Sequence, residues 1–371
     1  MNIIFRTDAS MKIGTGHIMR CLTLADRLRA KGAEIAFINR ALPGNLSHFV
    51  KSNGYKVYQL PCADEKFDNA GISWETDAEQ TASFLSKQKL LADWLIVDQY
   101  DLDKNWELKV RPYVKKIMVI DDLADRPHDC DLLLDQNFYI NLNHRYEGLV
   151  PNHCQKLLGP RYLLLRPEFG EARKNLRERH GSVKRIFIFF GGSDASNQTL
   201  KALKAIRLLD RGDIGIDVVV GSSNRHQEQI KRLCGTMPGA TFYCQVKNMA
   251  QLMLNADLAI GAGGTTTWER CYLGLPTITI ITAPNQAEMT AAVAAAGATW
   301  NIGRQEKVKI TDIANSIKKA LNNPYFVKIT GLNAMRLANT PWPEKECTVV
   351  RAIVEGEGSV SYADHTCSTL F

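Results

Sequence analysis

The 371-residue sequence lacks the features that would place it among membrane or nucleic-acid-binding proteins. No apolar run reaches the roughly 18 residues of a membrane span. Lys and Arg number 46 against 39 Asp and Glu, and the resulting net charge of +7 is dispersed, without a block of five like charges. A nucleic-acid surface would need clustered charges. We therefore expect neither a membrane nor a nucleic-acid partner, and the sequence leaves the oligomeric state open.

Cysteine occurs nine times, but the residues are widely spaced, odd in number and form no C-x-x-C pair. This distribution argues against a disulfide framework and a clustered zinc site, and it indicates a reducing compartment. We also expect no secretory signal, because Arg6 and Asp8 interrupt the first ten residues, where an apolar run would be needed. The expected location is the cytoplasm.

What the chain does have is an alternation of short apolar runs with amphipathic segments, which predicts parallel sheets flanked by helices. In the first 140 residues the predicted strands are IIFRT, EIAFINR, KVYQL, WLIVDQY, KKIMVID and DLLLDQN, and the helices between them are HIMRCLTLADRLRAKG, LSHFVKSNG and AEQTASFLSKQKLLAD. A second series of strands consists of VKRIFIFFGG, IDVVVG, ATFYCQ, ADLAIGAGG and LPTITIIT, with helices near 196–208, 226–234, 248–255, 265–273 and 286–297.

This pattern predicts an α/β protein of two doubly wound, Rossmann-like domains, residues 1–165 and 183–343. A linker, 166–182, joins them, and a C-terminal helix and tail, 344–371, follow. The last helical piece, near 344–355, is expected to pack on the first domain. Because ligands of open α/β sheets bind outside the carboxyl ends of the strands, the expected site is a cleft between the domains.

The first strand leads into IGTGHIMRC, residues 13–21, in which Gly14, Thr15 and Gly16 form a strand-to-helix turn. A dinucleotide fingerprint is disfavoured, because its third glycine is replaced by Met19 and the second strand ends without the acidic residue that binds an adenosine ribose. The glycines either serve only a tight turn or bring the backbone close to a ligand.

His17 follows at the start of the predicted helix, where it would face the cleft. Single histidines are often structural or surface residues. The partial positive charge of a helix N-terminus, however, disfavours an imidazolium. We therefore expect His17 to be neutral at physiological pH, the form that a general base requires.

A second glycine-rich turn, GAGGTTTWERCYLGLP, spans residues 261–276 and follows a buried strand of the second domain. Backbone amides at such a turn are suited to phosphate. Glu269 lies about one helical turn further, roughly 5 Å along the axis, where its carboxylate could accept both hydroxyls of a ribose. The alternative is a plain turn followed by a solvated glutamate. The candidate nucleotide-binding residues are Gly263, Gly264, Thr265, Thr266 and Glu269.

The first strand-to-helix turn of the second domain, GGSDASNQT, residues 191–199, is a third candidate. Gly192 and Ser193 are expected to contact the diphosphate or the sugar. Either Asp194 and Asn197 join them in this contact, or Asp194 or Ser196 only caps the following helix.

These motifs resemble those of two related families. GAGGTTTWERCYLGLPTITI, followed by NQAEMTAAVAAAGA, resembles the UDP-binding cassette of MurG-type glycosyltransferases of the GT-B fold. The first domain departs from those transferases. FRTDASMKIGTGHIMRCLTLADRL, with IVDQY, IDDLADRPHDCDLLLDQN, YEGLVP and LLLRPEF, closely resembles the PseG family, UDP-sugar hydrolases of pseudaminic acid biosynthesis. The resemblance runs from about residue 1 to about residue 300.

The resemblance implies a GT-B-like fold and a metal-independent, inverting hydrolase without a cofactor. The substrate would be UDP-2,4-diacetamido-2,4,6-trideoxy-β-L-altropyranose, whose anomeric C–O bond is broken by water to release UDP and the free sugar. The family's catalytic histidine falls on His17, and the asparagine that meets the sugar falls on Asn285.

Other polar residues keep two interpretations each. Asp8 either orients His17 or meets the sugar, and Arg166 either reaches phosphate or sugar or forms a surface salt bridge. Further residues at the ends of first-domain strands either touch the ligand or only cap helices and brace loops; these are Asp98, Asp121, Asp122 and Asn137.

Two other functions would use the same motifs. A glycosyltransferase would bind the same UDP-sugar but pass it to a hydroxyl acceptor. One that acts on lipid would show an apolar, basic patch, which is not evident in residues 42–60 or 66–92. A non-catalytic sugar-nucleotide-binding protein would not need a base at His17.

Overall fold

The computed structural model describes residues 1–10, 12–62, 72–87, 91–339 and 347–355. The predicted tail beyond residue 355 lies outside these described residues. The strands are β1 (Asn2–Thr7), β2 (Glu34–Arg40), β3 (Lys56–Leu60), β4 (Ala92–Asp98), β5 (Val114–Ile120), β6 (Leu132–Asp135), β7 (Gln155–Leu158), β8 (Arg185–Phe189), β9 (Gly215–Val220), β10 (Ala240–Cys244), β11 (Leu258–Ala262), β12 (Thr277–Ile281) and β13 (Trp300–Arg304).

Helices connect most of these strands. They are α1 (Gly16–Ala30), α2 (Ser47–Ser52), α3 (Trp74–Ser86), α4 (Lys104–Val110), α5 (Pro167–Lys174), α6 (Gln198–Arg207), α7 (Gln227–Gly235), α8 (Met249–Asn255), α9 (Thr266–Tyr272), α10 (Ala287–Ala295), α11 (Ile310–Asn322), α12 (Pro324–Leu337) and α13 (Thr348–Glu355). Single 3₁₀ turns lie at Arg111–Tyr113, Leu142–His144, Pro160–Tyr162 and Pro284–Gln286. Among the described residues, none of these helices combines the length and apolar character needed to cross a bilayer.

The strands form two separate sheets in which the pairings are parallel. The first has seven strands in the order β3-β2-β1-β4-β5-β6-β7, and the second has six in the order β10-β9-β8-β11-β12-β13. The predicted fold class, two doubly wound α/β domains, is confirmed. In each sheet the strand order reverses once, between β1 and β4 in the first and between β8 and β11 in the second. Such reversal points are where ligands bind in folds of this kind.

The central strands are almost wholly buried because helices cover both faces of each sheet. All residues of β12 are buried, and β4 is buried except for one residue. The polar residue that ends β4, Asp98, is also buried. The sheet therefore places a carboxylate at its switch point, away from bulk water.

Two edge strands, β7 and β13, are not predicted by the sequence. β7 has only four residues, and the register of β13 against β12 is irregular. The two segments, QKLL and WNIGR, are short and contain too few apolar residues to show a clear alternation, so periodicity does not reveal them.

The predicted linker, 166–182, contains helix α5, which packs on the second domain. Phe169 and Ala172 of α5 share a buried cluster with Met253 of α8 and Cys271 of α9. This part of the linker is thus built into the second domain.

Helix α13 returns to the first domain, in line with the expectation for residues 344–355. Val349 and Ile353 share a buried cluster with Ile3 and Phe5 of β1. The indole nitrogen of Trp94 in β4 donates a hydrogen bond to the carbonyl oxygen of Ile353, at 3.1 Å. The described chain therefore crosses between the domains twice.

Candidate active site

The switch points of the two sheets face each other, and their glycine turns nearly touch. A Cβ placed on Gly192, after β8, would lie 3.2 Å from the side chain of Thr15, after β1. A Cβ on Gly16 would lie 3.5 Å from the Thr265 hydroxyl oxygen, after β11. The turns singled out in the sequence are therefore brought together across one cleft.

His17 is the second residue of α1, and its imidazole contacts the end of β4. Its Nδ1 lies 2.5 Å from Oδ1 of Asp98. The ring of Tyr100 meets the imidazole edge to face, with the centroids 4.6 Å apart. About a tenth of the His17 side chain is exposed (10%), and Nε2 has no hydrogen-bond partner among the described residues.

Arg20 lies one helical turn after His17 and fixes the same carboxylate. Its Nε is 2.6 Å from Oδ2 of Asp98 and its Nη2 is 2.7 Å from Oδ1. Its Nη1 reaches Oδ2 of Asp122, at 3.1 Å. Burial raises the pKa of Asp98, but the charge of Arg20 and the hydrogen bonds from Arg20 and His17 outweigh this effect and hold that pKa well below its usual value. Asp98 is therefore an anion at neutral pH.

This geometry fixes which imidazole nitrogen carries the proton. A carboxylate can only accept, so Nδ1 is the donor toward Asp98. The lone pair of Nε2 is left for a molecule in the cleft. The arrangement suits general-base chemistry, in which a second group orients the base.

Asp8 does not take part in this contact. Its Oδ1 accepts from the backbone amide of Arg40 at 2.6 Å and lies 2.8 Å from Nη1 of Arg6, while Oδ2 accepts from Gln99 at 3.0 Å. The expectation that Asp8 orients His17 is therefore wrong, because Asp98 at the neighbouring switch-point strand occupies that position. A contact between Asp8 and a sugar stays a prediction.

A hydrogen-bonded chain crosses the cleft beside the imidazole. The hydroxyl of Tyr100 donates to Oδ1 of Asp122 at 2.6 Å, and it accepts from the side-chain amide of Asn285 at 3.1 Å. Asn285 lies in the 3₁₀ turn after β12, so a second-domain residue is brought next to a neighbour of His17. Its placement is compatible with the predicted contact to the sugar.

The turn after β11 presents unused backbone amides. A Cβ on Gly263 would lie only 2.2 Å from Oγ1 of Thr290, so a side chain there would clash. Among the described residues, no acceptor is found for the amides of the four turn residues. These are Gly263, Gly264, Thr265 and Thr266.

Glu269 is paired with Arg166, and a contact of this arginine with phosphate or sugar stays a prediction. Nε and Nη2 of Arg166 lie 3.0 and 2.8 Å from the same oxygen, Oε1. Arg166 also pairs with Glu168 at 2.8 Å. The arginine therefore forms a partly buried salt bridge. Oε2 of Glu269 has no partner among the described residues, and the side chain is 17% exposed.

The remaining predicted residues lie close to the same cleft. Asp194 accepts from the amides of Gln198 and Thr199 at 2.8 and 2.9 Å, so the capping interpretation is confirmed for it. Gly192 accepts a hydrogen bond from the Ser223 hydroxyl through its carbonyl oxygen. Asn137 accepts from the indole of Trp268 at 2.7 Å and thereby joins the two domains.

The residues predicted from the sequence do not include Arg20, Tyr100 or the buried acid Asp135. Burial, and then the charge of Asp122, raises the pKa of Asp135 to about 8. The i, i+3 spacing of His17 and Arg20 is a signal that could have indicated a shared partner. In the described part of the chain, no three His, Cys, Asp or Glu side chains are grouped so as to hold a metal ion.

Comparison with known proteins finds similarity over most of the chain. Residues 185–337 match the Glycosyltransferase family 28 C-terminal domain. The chain is 28% identical over 262 residues to the UDP-2,4-diacetamido-2,4,6-trideoxy-β-L-altropyranose hydrolase of Campylobacter jejuni, covering 70% of this chain and 84% of the relative. The predicted resemblance is confirmed.

Other relatives overlap in part. The uncharacterized protein MJ1062 of Methanocaldococcus jannaschii is 28% identical over 76% of this chain, which spans 55% of that protein. The spore coat polysaccharide biosynthesis protein SpsG of Bacillus subtilis is 32% identical over 40% of this chain and 44% of its own. The chain thus spans about half the length of these two relatives.

Solved structures agree on the fold. MurG of Acinetobacter baumannii superposes with a TM-score of 0.63 at 14% identity, covering 95% of this chain and 99% of its own. A glycosyltransferase from Streptomyces sp. SF2575, solved with thymidine diphosphate, gives 0.63 at 16% identity, covering 96% and 99%. The predicted GT-B-like fold is confirmed.

Proposed function

We propose that this protein is a metal-independent, inverting UDP-sugar hydrolase. The proposed substrate is UDP-2,4-diacetamido-2,4,6-trideoxy-β-L-altropyranose, and the products are UDP and the free sugar. The observation that carries the proposal is the contact of His17 with Asp98, which leaves Nε2 facing a cleft whose opposite wall is a glycine turn with unused amides. The similarity to the Campylobacter hydrolase supports the choice of sugar.

Nucleotide binding is assigned to the second domain. The amides of residues 263–266 would hold the diphosphate, since backbone N–H groups of glycine turns bind phosphate oxygens. Arg166 takes only Oε1 of Glu269, so Oε2 is available to the ribose hydroxyls. Gly192 and Ser193, at the first turn of this domain, complete the wall of the cleft.

The chemical step needs one base and a stabilised leaving group. Nε2 of His17 removes a proton from water, and the water oxygen attacks the anomeric carbon as the bond to the UDP oxygen breaks. Attack on the face opposite UDP inverts that carbon. Asp98 stabilises the imidazolium that forms, and the turn amides stabilise the charge that develops on the departing diphosphate.

A glycosyltransferase is the second candidate, because residues 185–337 match a glycosyltransferase domain. It would use the same nucleotide site and the same base, with a hydroxyl group in place of water. A protein that only binds the sugar nucleotide is disfavoured, since binding gives no role to a base held by a buried carboxylate. The cytoplasmic location stays a prediction.

The deciding experiment measures UDP release with no acceptor present. Wild type should release UDP and an equal amount of reducing sugar. His17→Phe should abolish release and keep UDP binding, whereas His144→Phe, at a largely exposed histidine, should behave as wild type. Release that appears only with an added hydroxyl acceptor would support the transferase, and no release under either condition would support the binding protein.

A further inference from the structure

Arg270 is a buried cation without a carboxylate partner in the described structure. It is 2% exposed, and its Nε has no acceptor. The buried arginines of the first domain are different, because Arg6 pairs with Asp8 and Asp77, and Arg20 pairs with Asp98. Burial lowers the pKa of Arg270 to about 10, so the guanidinium still carries its proton at neutral pH.

The guanidinium lies directly behind the glycine turn of the second domain. Nη2 donates to the carbonyl oxygen of Ala262 at 2.7 Å and to the hydroxyl of Thr267 at 3.1 Å. A Cβ placed on Gly261 would lie 2.8 Å from Nη1. Arg270 therefore occupies the carbonyl side of the turn, while the amides of residues 263–266 remain without acceptors.

A buried charge that no counter-charge compensates is costly, because it has lost its water and gained only dipoles. The positive charge of Arg179 is compensated by backbone carbonyl oxygens. It donates to carbonyl oxygens at the C-terminal ends of α8 and α9, including those of Met253 and Leu273, where the helix dipoles supply negative potential. Arg270 has one carbonyl and one hydroxyl, so most of its positive field remains available to an anion bound on the turn.

We propose that Arg270 is a positioning residue for the nucleotide diphosphate, which it attracts through the glycine turn and whose contact amides it holds in place. This inference rests on the nucleotide-binding part of the proposed function and not on the hydrolytic step. The interaction passes through the protein interior, where the effective dielectric constant is lower than in water. It should therefore persist at salt concentrations that screen surface charges.

The test compares UDP with uridine, which lacks phosphate, by calorimetry on the full chain. Arg270→Met should weaken UDP binding roughly tenfold or more, the usual effect of losing a charged partner, and leave uridine binding unchanged. Arg270→Lys should keep most of the preference for UDP. Arg179→Met is the matched control, since it removes another arginine that bonds to carbonyls, and it should keep the full preference.

Each outcome decides the proposal. Equal preference for UDP in Arg270→Met and wild type would overturn it. A parallel loss of UDP and uridine binding would also overturn it, because the residue would then only shape the turn. If Arg270→Met does not fold in a thermal melt, Arg270→Lys decides: a folded lysine variant without preference for UDP contradicts the proposal. If wild type binds UDP but does not hydrolyse the sugar nucleotide, the hydrolase proposal is wrong and the proposal for Arg270 is unaffected.

Discussion

His17 and Asp98 lie 81 positions apart in the chain, yet Nδ1 and Oδ1 are 2.5 Å apart. The contact follows from the strand order. β1 and β4 are neighbours at the switch point, so the helix after β1 begins beside the last residue of β4. The ends of two neighbouring strands therefore position His17 and Asp98, and Arg20 bonds to both oxygens of the same carboxylate.

Asp98→Asn tests whether the charge of the carboxylate matters, because it changes the charge and almost keeps the shape of the side chain. The amide is almost isosteric, but it cannot stabilise an imidazolium and it permits the wrong tautomer of His17. We expect kcat for UDP release to fall roughly 100-fold or more, the range found for loss of general-base function, with the Kd for UDP unchanged. Asp93→Asn, at the start of the same strand, is the control. If Asp98→Asn released UDP at the wild-type rate, the contact of Asp98 with His17 would have no role in the reaction.

Gly263→Ala should disrupt the diphosphate site through one steric contact. The added methyl would lie 2.2 Å from Oγ1 of Thr290, whereas the nearest neighbour of a methyl on Gly264 is 3.7 Å away. We expect Gly263→Ala to cost about 1–3 kcal/mol of stability and most UDP binding, and Gly264→Ala to cost little stability. Thermal melts and calorimetry measure both effects.

The second substitution Thr290→Ala should rescue Gly263→Ala, because it removes the clashing hydroxyl. That hydroxyl is buried and has no hydrogen-bond partner in the described part of the chain, so its loss alone should cost little stability. Additive effects in the double mutant would show that the clash is not the cause.

Glu269→Gln should reduce the preference for ribose over deoxyribose. Wild type should bind UDP more tightly than 2′-deoxy-UDP, by roughly tenfold, because a carboxylate oxygen accepts from the hydroxyl. The variant should bind the two nucleotides almost equally. Glu288→Gln, at a glutamate that pairs with Arg145 across the same cleft, is the control and should retain the preference. If Glu269→Gln kept the full preference for UDP over 2′-deoxy-UDP, the ribose would not bind at Glu269.

Asp135 should make the protein less stable as the pH rises. Burial and the charge of Asp122 raise the pKa of Asp135 to about 8 in the folded protein, above the value of about 4 expected when unfolded. Between these values the folded state binds more protons, so the free energy of unfolding falls with increasing pH, by at most about 1.4 kcal/mol per pH unit from this group.

Asp135→Asn should flatten that dependence between pH 5 and pH 8, measured by urea unfolding. Asp213→Asn is the control: Arg211 lowers the pKa of Asp213 to about 2, so this carboxyl is ionised throughout that interval. Stability curves of wild type and Asp135→Asn that stay parallel would contradict the assignment.

The sequence predicts the central strands and the glycine turns because both depend on local patterns. β8 and β11 are mainly apolar, and the turn after β11 contains Gly263, where a side chain would clash. The edge strands β7 and β13 are missed because their sequences, QKLL and WNIGR, are short and show no clear alternation of apolar residues. Helices α11 and α12 were not predicted either, although the first is strongly amphipathic.

The site was predicted in part for a related reason. The position of His17 follows from its local motif, but its partner depends on which strand ends are neighbours, and residue spacing does not contain that information. Asp8 and Asp98 both follow apolar strands, and only the sheet shows that Asp98 meets the imidazole. The salt bridge of Arg166 with Glu269 likewise joins residues 103 positions apart.

Because of helix α13, the first domain is built from two separated parts of the sequence, whereas the second domain is not. The sheet of the second domain and the helices on it form one uninterrupted stretch of the chain, between residues 167 and 339. A first domain that stopped at residue 165 would lack α13 and would expose the apolar surface around Ile3 and Phe5 to water. It would need residues 347–355 spliced back through a linker long enough to reach β4.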